Sequence, residues 1–278
     1  EHGENVVKTS TNNEKLIDEI NWYKSIPKEI SNLVPKILET STENNPFIKL
    51  EYVKHPTLSE LWLYGEFSVE FWKKIIKDLF DIIQKFKKFN KPVTKQEYNS
   101  IYLEKTSNRI NELLQTSNFF KKIFDNDFII INDKKLKNWK LMKDEIKDKI
   151  STMFNKEDNC LIHGDLYFSN ILYDSENEIY KLIDPRGKWG ESTSGDIKYD
   201  IAKIRHSIIG GFDTITNGLY SAKYLKDNKI EYKVFKSKNH QLLSTELDYN
   251  IEKNWKLDEI KMIEGLLFIS MLPLHSDN

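Results

Sequence analysis

Cys160–Asp174 reads C-L-I-H-G-D-L-Y-F-S-N-I-L-Y-D, which sets His163, Asp165 and Asn170 in the order H-G-D-x-x-x-x-N between two short apolar runs. Such runs, separated by turn-forming Gly, Asp, Ser and Asn, predict short strands joined by a polar loop. A further run, Ile179–Ile183, ends directly in Asp184 and continues as P-R-G. The competing reading is a pair of turn caps in a β-hairpin, because Asp and Asn both favour turns. Rarity weighs against it: the chain has six His, and an accidental H-x-D-x-x-x-x-N is expected on the order of 0.06 times.

Two carboxylates and an amide at neighbouring strand ends are the groups that phosphoryl transfer requires. One carboxylate accepts the proton of an incoming hydroxyl, and the remaining oxygens suit Mg²⁺, a hard cation that prefers carboxylate, amide, water and phosphate ligands. Asp165, Asn170 and Asp184 together supply these groups. A metal-dependent hydrolase would need more His and carboxylate ligands than this cluster offers.

The whole chain is compatible with such a site. Its 278 residues, 39% hydrophobic and 31% charged, suffice for one large or two-lobed folded unit. The formal net charge of −1 gives no global field for nucleic acid or an anionic membrane. Cys160 is the only cysteine, so no intrachain disulfide forms. It opens an apolar run, where a buried structural thiol is expected. No apolar run reaches the roughly 20 residues of a membrane span. These features together predict a cytoplasmic protein.

Asn5–Ser10 predicts a strand, Asn12–Ser25 a helix ended by Pro27, and Val34–Glu39 and Phe47–Val53 two strands across a polar turn. From Thr57 the pattern turns helical. Val69–Phe89 carries an amphipathic stripe, and Gln96–Leu114 and Lys134–Met153 predict two more helices. Ile197–Ile209 predicts a helix after the signature strands. The tail predicts two or three more, ending with Leu257–Met271.

The motifs H-G-D-x-x-x-x-N and I-D-P-R-G, followed by Gly195–Lys203 (G-D-I-K-Y-D-I-A-K), resemble the aminoglycoside phosphotransferase and choline kinase-like family of small-molecule kinases. The resemblance implies an α+β, two-lobed protein kinase-like fold. Residues 1–54 would form a small, β-rich nucleotide-binding lobe, and residues 55–278 a larger, mainly helical lobe with the catalytic loop and acceptor pocket. It implies ATP or GTP and Mg²⁺ as cofactors, Asp165 as base, and Asn170 and Asp184 on the metal. His163 and Asp200 would brace the loop. Lys8 would pair with nucleotide phosphates and with an acid on the following helix, Glu19 or Glu14. The backbone at Glu51 and Val53 would read the adenine edge. Only seven residues precede Lys8, fewer than the family's phosphate-covering loop needs, so the small lobe is expected to be partial.

Gly164 stands where protein kinases carry Arg, Pro185-Arg186 replaces their Phe-Gly, and no A-P-E follows Asp184. The missing Arg and the missing A-P-E favour a small metabolite acceptor over a protein, while Arg186 is a candidate to face a substrate anion or phosphate, with a surface salt bridge as the alternative. A polycationic aminoglycoside would want an acidic wall, yet residues 221–278 balance nine Lys against nine acids. An amino alcohol such as choline would want an aromatic cage, for which Tyr167, Phe168 and Trp189 are candidates. A sugar or polyol would use scattered polar groups, with Arg186, Asp196, His275 and Asp277 available. The expectation is a sugar or polyol of a bacterial surface-polysaccharide pathway. The alternatives are an amino-alcohol or aminoglycoside kinase, or a catalytically silent nucleotide-binding module.

Overall fold

The computed structural model describes residues 4–190, 192–226 and 228–275. The small lobe comprises β1 (Asn5–Thr9), α1 (Asn13–Ser25), β2 (Ile37–Ser41) and β3 (Phe47–Glu51). Its strands are antiparallel in the order β1-β3-β2, with Lys8 opposite Ile48. β2 starts at Ile37 rather than the expected Val34, because Pro35 has no N–H to give to a ladder. Asn12 caps α1 by accepting from the Lys15 N–H, which satisfies one of the first-turn donors a helix leaves unpaired. The buried face of α1 is Leu16, Glu19, Ile20, Trp22 and Tyr23. The Trp22 indole N–H donates to the Ile162 carbonyl at 2.7 Å, pinning α1 to the strand that leads into His163.

The large lobe opens with α2 (Leu58–Tyr64), fixed by a reciprocal cap between Thr57 and Glu60, and α3 (Val69–Lys87). The apolar stripe of α3, from Trp72 to Phe86, lies buried in the core. Then come α4 (Lys95–Asn99), a π-turn over Ser100–Glu104, α5 (Lys105–Thr116) and α6 (Asn118–Phe124). The helix expected over Gln96–Leu114 is therefore continuous but contains a widened turn.

β4 (Phe128–Ile131) and β5 (Lys134–Lys137) follow, then α7 (Trp139–Met153). Here the expected helix over Lys134–Met153 needs correction, since its first residues form β5. Asn132 and Asp133 both take positive φ, 46° and 64°, the conformation that turns a tight hairpin. Asn138 then caps α7.

The signature region forms β6 (Asn159–Leu161), β7 (Ile171–Asp174), β8 (Ile179–Leu182) and β9 (Ser194–Asp196). β6 pairs with β9, and β7 with β8. After α8 (Ile197–Ile208) and α9 (Phe212–Thr216), the tail holds β10 (Tyr220–Leu225) and β11 (Lys229–Val234) before α10 (His240–Glu252) and α11 (Leu257–Met271). The β10–β11 hairpin was not expected. It extends β4 and β5 into a sheet of order β10-β11-β4-β5, and its strands are largely exposed.

One hydrophobic cluster runs from α1 through α3 and the signature strands to α8, α10 and α11, with Cys160 inside it. Every residue of α8 is buried, so its polar side chains need protein partners. Lys198 donates to the Met153 carbonyl at 2.8 Å and to Glu259 at 3.0 Å. Arg205 pairs with Asp248 at 3.0 Å and with Glu264. Among the described residues no helix is long and apolar enough to cross a membrane.

Candidate active site

The pairing of β6 with β9 sets the start of α8 directly behind His163–Asp165. Asp196 caps that helix, and Asp200, one turn on, aims both oxygens at the loop. They accept the N–H groups of His163 at 2.7 Å and Gly164 at 2.8 Å. Burial pushes the Asp200 carboxyl up to about 7, against the two donors that hold it down.

His163 is buried. Its Nδ1 accepts from the Asp165 N–H at 3.3 Å, which makes Nε2 the donor to the Ile183 carbonyl at 3.0 Å. The loop is thus tied on one side to α8 and on the other to the residue before Asp184. Gly164 holds φ +77°, and a Cβ there would stand 2.8 Å from the Arg186 side chain. That contact occupies the space an Arg would need at position 164.

Asp165 projects from this frame with about a third of its side chain exposed. Asn170 donates from Nδ2 to the Asp165 carbonyl at 2.9 Å and to its carboxylate at 3.3 Å. Asp184 follows β8 at φ +53°, a left-handed conformation that costs a non-glycine residue on the order of 1 kcal/mol. Lys8 bridges the lobes. Its Nζ lies 2.7 Å and 2.9 Å from the two Glu19 oxygens and 2.8 Å from Asp184 Oδ1. Burial lowers the Lys8 pKa, but the bonds to Asp184 and Glu19 outweigh it, so the ammonium is held above its ordinary value.

The structure therefore brings together Lys8, Glu19, His163, Asp165, Asn170, Asp184 and Asp200. Glu14 is not the partner of Lys8. At the interlobe crossing, the Glu51 N–H donates to the Lys36 carbonyl at 2.9 Å and its carboxylate pairs with Lys181 at 3.2 Å. The Glu51 N–H is thus taken, while the Val53 N–H bonds no described group.

Three groups missed in the sequence, Lys203, Tyr199 and Lys105, lie around Asp165. Lys203, 7% exposed, places Nζ 2.8 Å from Asp165 Oδ1. Burial pushes the Asp165 carboxyl up, but the Lys203 charge overrides it and the net direction is down. Tyr199 accepts from Arg186 Nη1 at 3.2 Å and from Lys105 Nζ at 3.4 Å. A signal existed: Tyr199, Asp200 and Lys203 fall at i, i+1 and i+4 of one helix, so an inward-facing Asp200 brings Lys203 towards the same loop.

Of the expected acceptor residues, Arg186 is at the centre and two others are not. Trp189 is 1% exposed and packs among Tyr98, Tyr102 and Tyr199. Asp196 is equally buried, accepting from the Lys198 N–H at 3.0 Å and the Tyr102 hydroxyl at 3.1 Å. Both stand behind the site because they build the β9–α8 junction. Phe168 is fully buried against Trp72, so it forms no cage, whereas Tyr167 is half-buried beside Lys203. The side chain of His275, and Asp277, lie outside the described residues.

Among the described residues no group of three or more His, Cys, Asp or Glu could hold a metal. A site for Mg²⁺ does not need one, since Mg²⁺ keeps waters and takes phosphate oxygens alongside one or two protein ligands. Asn170 Oδ1 bonds no described group, and the Asp184 carboxylate is exposed. One amide oxygen and one carboxylate fit that requirement.

No protein-family model matches the sequence, and no curated protein matches it. Solved structures do match in fold. An aminoglycoside-3'-phosphotransferase of type VIII overlays with a TM-score of 0.53 at 14% identity, covering 96% of this chain and 85% of its own. Aminoglycoside phosphotransferase APH(3'')-Id from Streptomyces rimosus, in complex with ADP and streptomycin, overlays with a TM-score of 0.54 at 10% identity, covering 96% and 86%. The chain therefore has the two-lobed, kinase-like fold of the aminoglycoside phosphotransferases.

Proposed function

We propose that this protein transfers the γ-phosphoryl group of a nucleoside triphosphate, ATP or GTP, to a hydroxyl of a small molecule. The observation that carries the reading is the convergence of Asp165, held between Lys203 and Asn170, with Asp184 and the Lys8–Glu19 pair from the other lobe. The similarity in fold to a phosphotransferase bound to ADP and streptomycin supports it. The acceptor class carried forward from the sequence is a sugar or polyol, supported by the polar groups of Tyr167, Arg186 and Tyr199 near Asp165.

In the reaction, the acceptor oxygen forms a bond to the γ-phosphorus and the bond from that phosphorus to the ADP oxygen breaks. The hydroxyl proton passes to the Asp165 carboxylate, and ADP leaves. Lys203 keeps Asp165 ionised and adds positive charge beside the transferred group. Lys8, positioned by Glu19, pairs with the nucleotide phosphates, and the Val53 N–H is the free donor for the base. Asn170 and Asp184 would hold Mg²⁺, which supplies charge neutralisation for the phosphates. Positioning and charge carry most of such a reaction.

A transfer assay with ATP, Mg²⁺ and a panel of sugars, polyols, amino alcohols and aminoglycosides tests the reading. Wild type is expected to phosphorylate one class, with Asp165→Asn and Asp184→Ala each at least about 100-fold slower. Nucleotide binding with no transfer to any acceptor would identify a silent module. Undiminished transfer by folded Asp184→Ala would remove the metal assignment.

A further inference from the structure

Arg186 and Lys105 converge on one phenol without an acid between them. Arg186 spends Nε on the Lys188 carbonyl at 3.0 Å and Nη1 on the Tyr199 hydroxyl at 3.2 Å. Lys105 reaches the same hydroxyl at 3.4 Å and lies 5.8 Å from the ring centroid, while Arg186 lies 5.9 Å from it. Among the described residues neither cation has a carboxylate partner. Lys203 sits nearby but is paired with Asp165, and Asp200 is committed to backbone donors. Both Lys105 and Arg186 remain partly exposed.

The helix that carries Lys105 is built to put it there. The Lys105 N–H bonds back to the Ser100 carbonyl, five residues earlier, closing the π-turn. One such turn inserts a residue and rotates everything after it by about 100°. π-Turns are concentrated at functional sites. Burial, and then the neighbouring Arg186 charge, push the Lys105 pKa down. Burial raises the Tyr199 hydroxyl, but the three cations around it prevail and its net direction is down. The Tyr199 direction marks an excess of positive charge around its hydroxyl. Planar guanidinium and ammonium donors on one focus are the groups that recognise a carboxylate or phosphate.

We infer that Lys105, Arg186 and the Tyr199 hydroxyl form a subsite for an anionic group on the acceptor, a carboxylate or phosphate borne by the sugar- or polyol-like molecule whose hydroxyl meets Asp165. The identity of that hydroxyl rests on the phosphotransfer reading; the anion subsite does not. The same excess charge repels a polycationic acceptor.

Two measurements on the whole chain test the subsite. The first is calorimetric titration with inorganic phosphate, and separately with malonate, on protein saturated with a non-hydrolysable ATP analogue. Binding is expected, weakened about ten-fold by Lys105→Met, with Arg186→Gln as a second variant should the first not fold. The second is a transfer assay on matched skeletons: glycerol, glycerate and glycerol 3-phosphate beside glucose, gluconate and glucose 6-phosphate. The charged members are expected to exceed the neutral ones at least about ten-fold in kcat/KM, and the comparison separates carboxylate from phosphate.

Anion affinity unchanged in both variants, or no anion binding at all, overturns the inference. A neutral or cationic acceptor used in preference also overturns it but leaves the phosphotransfer reading standing. Anion binding lost in Lys105→Met, in a protein that transfers nothing, keeps the subsite and removes the phosphotransfer reading instead.

Discussion

The Asp165 carboxylate sits between opposing influences, and Lys203 decides the outcome. Partial burial favours the neutral acid, while an ammonium 2.8 Å away favours the carboxylate. Lys203 depends on Asp165 in return, because burial alone would lower its pKa and the Asp165 charge raises it. Replacing Lys203 by Met leaves Asp165 partly buried with no cation in contact. The acid limb of the kcat profile is then expected to move to higher pH, with kcat down roughly 10- to 100-fold. A merely structural lysine would lower the yield of folded protein without moving that limb, so an unshifted profile in a folded variant removes Lys203 from this role.

At the scale of elements, the site depends on how closely α1 approaches the segment after Asp184. Gly187 holds φ +84°, and a Cβ there would stand 2.5 Å from the Asp18 carbonyl carbon and 2.6 Å from the Glu19 N. These are backbone atoms that no rotamer change can move. Gly187→Ala must displace α1 or rebuild the turn, and either change pulls Glu19 from Lys8. Expected are a loss of about 1–3 kcal/mol in denaturant unfolding and weaker ATP binding by calorimetry. Wild-type values for both would show that α1 has room to spare.

This packing also explains what could be read from the sequence. The stripe of α3 and the runs around His163 and Asp184 were legible because each buries a face whose period matches its element. β5, β10 and β11 bury little, and β11 pairs with β4 across a long stretch of chain, so no local period marked them. Lys203, Lys105 and Tyr199 were missed for a related reason. Tyr199 and Lys105 take their meaning from the meeting of α8 with a π-turn distant in sequence, and Lys203 from the meeting of α8 with Asp165, whereas Asp165 and Asn170 carry their spacing within one loop. Asp196 and Trp189 lie close to Asp184 in sequence, but that proximity does not show that their side chains turn inward to the β9–α8 junction.

For the molecule as a whole, folding one core around α8 and the His163–Asn170 loop removes several titratable groups from water, and their effects on stability oppose one another. Burial pushes His163 down to about 4 and His206 well below its ordinary value. Burial also pushes Asp196 and Asp200 up to about 7. For the histidines, the unfolded chain takes up protons first as pH falls below about 6.5. The stability they contribute is full above that pH and is lost towards pH 4. For the two carboxyls, the folded state holds the extra protons, so their contribution is full below about pH 4 and is lost as pH rises through 7. The two sets cancel in part, and a bare stability profile hides both. A difference profile separates them. In His163→Gln the side-chain amide can still donate to the Ile183 carbonyl but does not titrate. The unfolding free energy of wild type minus variant is expected to be largest above pH 6.5 and to shrink by about 3 kcal/mol on the way to pH 4. Denaturant melts of both proteins at half-unit pH steps measure it. A difference that stays constant across that window would mean that His163 is not held neutral beneath the Asp165 loop.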